Sequence, residues 1–532
     1  MNNKGGSMKR YSIILGIVVC LWAHTTIGTQ PGRAWDFKLH DINQVEIYIS
    51  NYGTFGHNAA TDDVGCWWPK GSGQNYIFGA GVWFGTVDST TSDTLVTIGY
   101  GPSGGEAECV PGLYGQDPYA PYVIIYMYPD PWPAPQDSFP MAPQDHCSHQ
   151  DSWCCYNDGD STHHMPGDTR PIDIEVYQTV YAWDVSPTLE DMVFFICEVR
   201  NVSGHTLKDC YFGICTDNDI GNEVGIAGND RISAIVGRWY TVNGESRWVD
   251  DVGYQWQDEE EPGWADFPGV IAYDLLQTPF DLQLGEDKDN DGIPDQYERD
   301  SSYYWNNVPQ DKWDVDNDGV PDWRDPSENP QIGMTAFKRF SRGIEPDIDP
   351  ERYLTLAGYN FLTGIYEPYD TLPTEPADQR FLMASGPFDL APDSTVTLVF
   401  ALFFANWHDI YGTPDSALVG PDGMAQFVWA GNWYVPGIEE GSSSAQPYNQ
   451  LTIRPNPITR HARVSFSVAQ NGRVSLTLYD VSGRLVRDII QTYVSAGSYS
   501  IDLDTRGLAH GTYFLVLETP QSKTSQSLVI VH

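Results

Sequence analysis

An all-β chain is predicted, a multi-domain β-sandwich body with a calcium-loop insertion and a C-terminal immunoglobulin-like sandwich. Three observations carry that expectation. Short segments alternate apolar and polar residues, as in QVEIYIS, YIFGAGVWFGTV, DTLVTIGY, IDIEVYQTVYAW and MVFFICEV, and a period of two is the signature of a strand. The 50 Gly and 37 Pro supply the turns between them, and 13% aromatic residues suit half-buried pleated surfaces. No long stretch repeats apolar residues at helical spacing.

The 532 residues carry a formal net charge of −43, which excludes nucleic acid as an expected partner. Such charge keeps a protein soluble while straining its compact state, a strain that divalent cations relieve. At the N-terminus Lys9 and Arg10 precede the apolar run IILGIVVCLW, the layout of a secretory signal peptide over 1–28. The run is too short to span a bilayer, so no transmembrane segment is expected. Export makes the remaining eight cysteines, Cys66, Cys109, Cys147, Cys154, Cys155, Cys197, Cys210 and Cys215, candidates for disulfides. FFICEVRNV and LKDCYFGIC read as a hairpin around SGHT, which would bring Cys197 near Cys210.

The body occupies 29–284 and resumes over 328–437. In its first part Ile172, Ile174, Val176, Val180 and Ala182 share one strand face. The proline-rich stretch 117–145 reads as an aromatic-pinned loop covering a sheet edge. His146, Cys147, His149, Cys154, Cys155, His163 and His164 gather in one stretch, but their spacing matches no zinc motif and oxidised cysteines are the favoured reading. After a strand, Asp217, Asp219, Glu223 and Asp230 could surround a cation, although Asx and Gly residues also build plain turns. GPSGG at 101–105 places Ser103 in a nucleophile-elbow pattern without the strand, turn and helix that the elbow requires.

Two windows in the insertion, 285–327, are nearly superimposable: DKDNDGIPDQYE at 287–298 and DVDNDGVPDWRD at 314–325. Each has Asp at positions one, three, five and nine, Gly at six and a carboxylate at twelve, the spacing of a calcium loop. Carboxylates so crowded repel by roughly 4 kcal/mol per pair at about 4 Å unless a cation sits among them. With Pro294 and Pro321 at position eight, the windows resemble thrombospondin type 3 repeats and their bacterial relatives. That resemblance implies that Asp287, Asp289, Asp291, Asp295, Glu298 and the Ile293 carbonyl ligate one calcium ion. It assigns a second to Asp314, Asp316, Asp318, Asp322, Asp325 and the Val320 carbonyl. Ser327 stands where the extracellular repeats usually have Cys, so calcium alone would hold the insertion.

A Ser-rich linker at 438–449 leads into 450–532. LTIRPNP, VSLTLYDVSGRLV, AGSYSIDL and GLAHGTYFLVLE follow in the order of the type IX secretion C-terminal sorting domain, which this segment resembles. The resemblance implies an immunoglobulin-like sandwich, the type IX export machinery as partner, and an extracellular or outer cell-surface location. The expected function is therefore a secreted or cell-surface, non-catalytic, calcium-binding structural or adhesion protein. A glycan, a cell surface or further copies of the chain would be its extracellular partner. The alternative is a carbohydrate-binding module or secreted polysaccharide or protein hydrolase, suggested by the 18 Trp and 31 Tyr.

Overall fold

The computed structural model describes residues 35–280 and 331–435 except 102–106, 166–167, 186–187, 222–226, 243–244, 263, 265–266, 409–411, 431–432 and 434. It also describes 451–530 except 455–459, 469–471, 481–483, 495–496 and 520–521, and, between 281 and 330, only Gly292, Ile293, Tyr304, Asn307, Val308, Pro309, Lys312, Trp313 and Asp322. The signal run, Ser103, Glu223 and the linker lie outside these residues.

The principal elements of the body are β1 (Glu46–Ser50), β2 (Gly79–Val87), β3 (Thr94–Ile98), β4 (Gln150–Asn157), β5 (Ile174–Ala182), β6 (Met192–Asn201) and β7 (Leu207–Asp217). They continue with β8 (Asp230–Val242), β9 (Glu245–Gln257), β10 (Val270–Gln277), β11 (Ala336–Ser341), α1 (Asp349–Leu356), β12 (Gln379–Leu390), β13 (Thr395–Ala405) and α2 (Pro414–Ala430). One sheet runs β11-β12-β7-β2, carries β3 beside β2, and continues through Thr54–Phe55 to β1. The other runs β4-β5-β6-β13-β10-β9-β8. Strands on both sides of 281–330 thus share the same two sheets.

The sheets bury their facing sides in one apolar core. There Phe195 of β6 stacks on Phe400 of β13 at 4.8 Å, and Phe55 approaches Phe195 at 4.7 Å from the opposite sheet. Strand β13 has no polar face: Leu398, Phe400, Leu402 and Phe404 enter this core, while Val399, Ala401 and Phe403 lie in a second core containing Leu418 and Val428 of α2. A central strand covered on both sides requires an unbroken apolar run, and TVTLVFALFFA provides it.

The proline-rich stretch uses Ala120, Val123, Tyr126, Ala134 and Phe139 to cover Trp153, Cys155 and Tyr177 of β4 and β5. Its Tyr126–Met127 bridge also pairs with the edge of β4. The two outer helices depart from the sequence expectation. Helix α2 contains Gly420, Pro421 and Gly423, residues that obscure a helical pattern, yet buried Leu418, Ala425 and Val428 give it one apolar face.

Helix α1 lies over Trp83, Ile98 and Leu382 on the outer face of the first sheet and is fastened by a buried knot of charge. Arg352 Nη1 lies 2.9 Å from Asp168 Oδ2 and 4.0 Å from Glu108 Oε1. His164 places Nδ1 3.3 Å from Glu108 and Nε2 3.7 Å from Asp349. Burial, only partly offset by His164 and Arg352, pushes the Glu108 carboxyl up to about 7.

The expected Cys197–Cys210 hairpin is not formed. Strand β6 pairs with β5 and β13, whereas β7 pairs with β12 and β2. The turn after Asn201 therefore carries the chain from one sheet to the other. Cys66, Cys109, Cys154, Cys155, Cys197, Cys210 and Cys215 are buried free thiols and Cys147 is half-buried. The Cys197–Cys210 pairing is corrected accordingly, and the seven buried cysteines pack as small apolar side chains in the layers.

Candidate metal centre

Of the residues assigned to the tandem loops, Asp287, Asp289, Asp291, Asp295, Glu298, Asp314, Asp316, Asp318, Val320 and Asp325 lie outside the described residues. Two others are described. Ile293 is buried, and buried Asp322 donates its N–H to the Trp313 carbonyl at 2.8 Å. Gly292, the position-six glycine of the first loop, has φ +96°, a conformation in which a side chain is strained.

The histidine and cysteine stretch forms no common centre. His146 stacks on Tyr128 at 3.8 Å, and His149 Nδ1 accepts the Asp184 N–H at 2.9 Å. Cys154 and Cys155, adjacent on β4, point into different cores. Alternation along the strand separates what the sequence places side by side.

The loop after β7 behaves differently. Thr216 of β7 stands opposite Phe381 of β12, and the next step along this antiparallel pair sets Asp217 beside Arg380. Arg380 Nη2 donates to Asp217 Oδ2 at 3.0 Å, and its Nη1 donates to Asp378 Oδ1. Tyr100 Oη donates to the same Asp217 Oδ2 at 3.0 Å. Tyr100 is itself positioned by its carbonyl, which accepts the Trp83 indole N–H at 2.8 Å. Arg342 Nη1 approaches Asp378 Oδ2 at 3.4 Å.

One carboxylate oxygen from each of Asp217, Asp219 and Asp378 lies within 4.8 Å of the others. Asp217 is 1% exposed, and its Oδ1 has no hydrogen-bond partner among the described residues. Asp230, fully buried at the start of β8, accepts the Ile220 N–H at 3.1 Å and Gln255 Nε2 at 2.7 Å on Oδ2. Its Oδ1 also lacks a partner among the described residues.

Desolvation dominates the electrostatics of this corner. It raises Asp217 to about 7 against the pull of Arg380, and Asp219 to about 6 with help from Asp378. Asp230 is driven well above the carboxylate range by burial. Oxygen-only, anionic and partly desolvated, the corner has the chemistry of a hard-cation site. The sequence indicated Asp217, Asp219 and Asp230; Asp378 and Arg380 join them only through strand pairing.

At the C-terminus, β14 (Leu451–Arg454), β15 (His461–Val468), β16 (Gly472–Asp480), β17 (Leu485–Val494), β18 (Gly497–Asp504), β19 (Gly511–Thr519) and β20 (Ser522–Ile530) form two sheets, β14-β15-β18 and β17-β16-β19-β20. Val464, Leu476, Leu478, Leu515 and Leu528 share a core of their own. Residues 452–531 match the secretion system C-terminal sorting domain. A sorting domain of this kind directs export to the cell surface or the extracellular space. Among the described residues no helix is long and apolar enough to cross a membrane.

No curated protein sequence matches the chain. Among solved structures, a polysaccharide lyase aligns at 7% identity over 93% of this chain and 46% of its own, with a TM-score of 0.21. Dimeric latent PorU from Porphyromonas gingivalis aligns at 10% identity over 93% of this chain and 32% of its own, with a TM-score of 0.14. The chain therefore spans less than half the length of either.

Proposed function

We propose that this is a non-catalytic, calcium-binding structural or adhesion protein of the outer cell surface. The reading rests on one conjunction: a sorting domain over 452–531 in the same chain as two loops whose carboxylates fall at full calcium spacing. The two-sheet body, sealed on its outer faces by α1, α2 and the proline-rich cover, is a rigid support for such an insertion. In this role Asp287, Asp289, Asp291, Asp295, Glu298 and the Ile293 carbonyl hold one ion. Asp314, Asp316, Asp318, Asp322, Asp325 and the Val320 carbonyl hold the other. Calcium outside the cell is plentiful, so such sites stay filled even at dissociation constants of about 0.1–1 mM.

The test is to fractionate cells and assay the purified surface form for cell adhesion and self-assembly in calcium and in chelator. Calcium-dependent adhesion or assembly supports the reading; a monomer that ignores calcium in both assays refutes it.

A second reading, a carbohydrate-binding surface, is favoured by one pair. Trp239 and Trp248 stand directly opposite each other on β8 and β9, their rings 5.6 Å apart, and are 58% and 36% exposed. Aromatic faces of this kind stack on sugar rings. Glycan-array binding lost in W239A would establish it.

A further inference from the structure

We propose that Asp217, Asp219 and Asp378 hold a calcium ion in the sandwich body, at the end of β7 and separate from the tandem loops. The geometry fits that ion. Oxygens bound to one calcium at 2.3–2.6 Å lie at most about 5 Å apart, and the three carboxylate oxygens lie within 4.8 Å of one another.

A compact group of acids would not by itself demand an ion, since solvated carboxylates cluster on many surfaces. Here a buried oxygen of the deepest ligand calls for one. Asp217 Oδ1, on a side chain 1% exposed, has no hydrogen-bond partner among the described residues, although Oδ2 of the same carboxylate takes both Tyr100 and Arg380. A buried acceptor without a donor is destabilising, and more so when charged. A cation bound by Asp217 supplies the partner that its Oδ1 lacks.

Arginine does not complete the corner. Arg380 engages Asp217 Oδ2 and Asp378 Oδ1, and Arg342 approaches Asp378 Oδ2, so the guanidinium groups reach two of the three carboxylates and leave Asp219 without such a contact among the described residues. Asp219 makes no side-chain hydrogen bond among the described residues. It and Asp378 are half-buried while Asp217 forms the floor, so an ion enters from solvent and meets its deepest ligand last. The fully shared anionic corner, together with the oxygen-only donor set, selects calcium over softer metals.

The experiment is calcium titration by calorimetry on the full mature chain, with terbium luminescence sensitised by Tyr100 as a second readout. A D291A/D318A variant removes the tandem-loop sites, and D219A/D378A is then added to it. The substituted positions in the body are half-buried, and an unchanged melting temperature in chelator verifies the fold. Three ions are expected in the wild type, one in D291A/D318A, and at least tenfold weaker binding of that ion when D219A/D378A is added. If D291A/D318A binds no calcium at about 10 mM, well above the range of extracellular sites, or if D219A/D378A changes its affinity less than twofold, the proposal falls. The loop reading survives either result. A wild type that binds one ion, lost in D219A/D378A alone, would instead keep this site and remove the loops.

Discussion

Arg352 lies buried beside Glu108, Asp168 and Asp349, so its removal would strand carboxylates away from water. Breaking such a buried pair typically costs about 3–5 kcal/mol; R352M is expected to lose stability on that scale, read as a lower urea midpoint. The same knot sets a pH dependence. Glu108 is raised from 4.5 to about 7 by burial, and His164 lies above 6.5, because Asp349, Glu108 and Asp168 outweigh the opposing effect of burial. Both groups therefore bind protons more tightly folded than unfolded. Their contribution is complete below the unfolded values and disappears as pH climbs through the folded ones. Between about pH 5 and pH 8 the melting temperature should fall, and E108Q should flatten the slope. A melting temperature that rises over this interval would contradict the assignment.

Elements meet most closely where glycines replace side chains. A Cβ on Gly81 of β2 would lie 2.5 Å from the Gly99 carbonyl carbon and 2.6 Å from the Tyr100 nitrogen. Both obstacles are backbone, which cannot swing aside. G81A is expected to cost about 1–3 kcal/mol and, by displacing Tyr100, to disturb its hydrogen bond to Asp217; thermal melting and the terbium signal report the two effects separately. Strands such as β5, β6 and β13 were legible because alternation or unbroken apolarity records which faces are covered. The crossing after Asn201 was not, since a turn joining two sheets and a turn closing a hairpin use the same polar residues. Helix α2 was hidden by Gly420, Pro421 and Gly423, whose weak propensity is overridden by packing on β13. Likewise Asp217 could be singled out as part of an acidic turn, but nothing local announces Asp378 or Arg380. Their arrival depends on the register between β7 and β12.

For the whole molecule, a net charge of −43 makes cations part of the stability. At free calcium about a hundredfold above its dissociation constant, one site adds roughly 2.7 kcal/mol. Chelation should therefore lower the melting temperature and expose 285–327 to protease before the sandwich opens, as limited proteolysis with mass mapping will show. Equal melting and cleavage in calcium and chelator would refute it. Removing residues 438–532 should leave the body folded but retained inside the cell envelope, a result read by fractionation. The two-sided burial of β13 has a further consequence for the journey outward. Until its sheets close, TVTLVFALFFA lies uncovered, an uncharged, strand-forming run of the kind that zips chains into aggregates. The acidity that strains the finished body keeps these travelling chains apart, so the same charge acts as a chaperone before folding and a burden after it, one that the proposed calcium ions would lift outside.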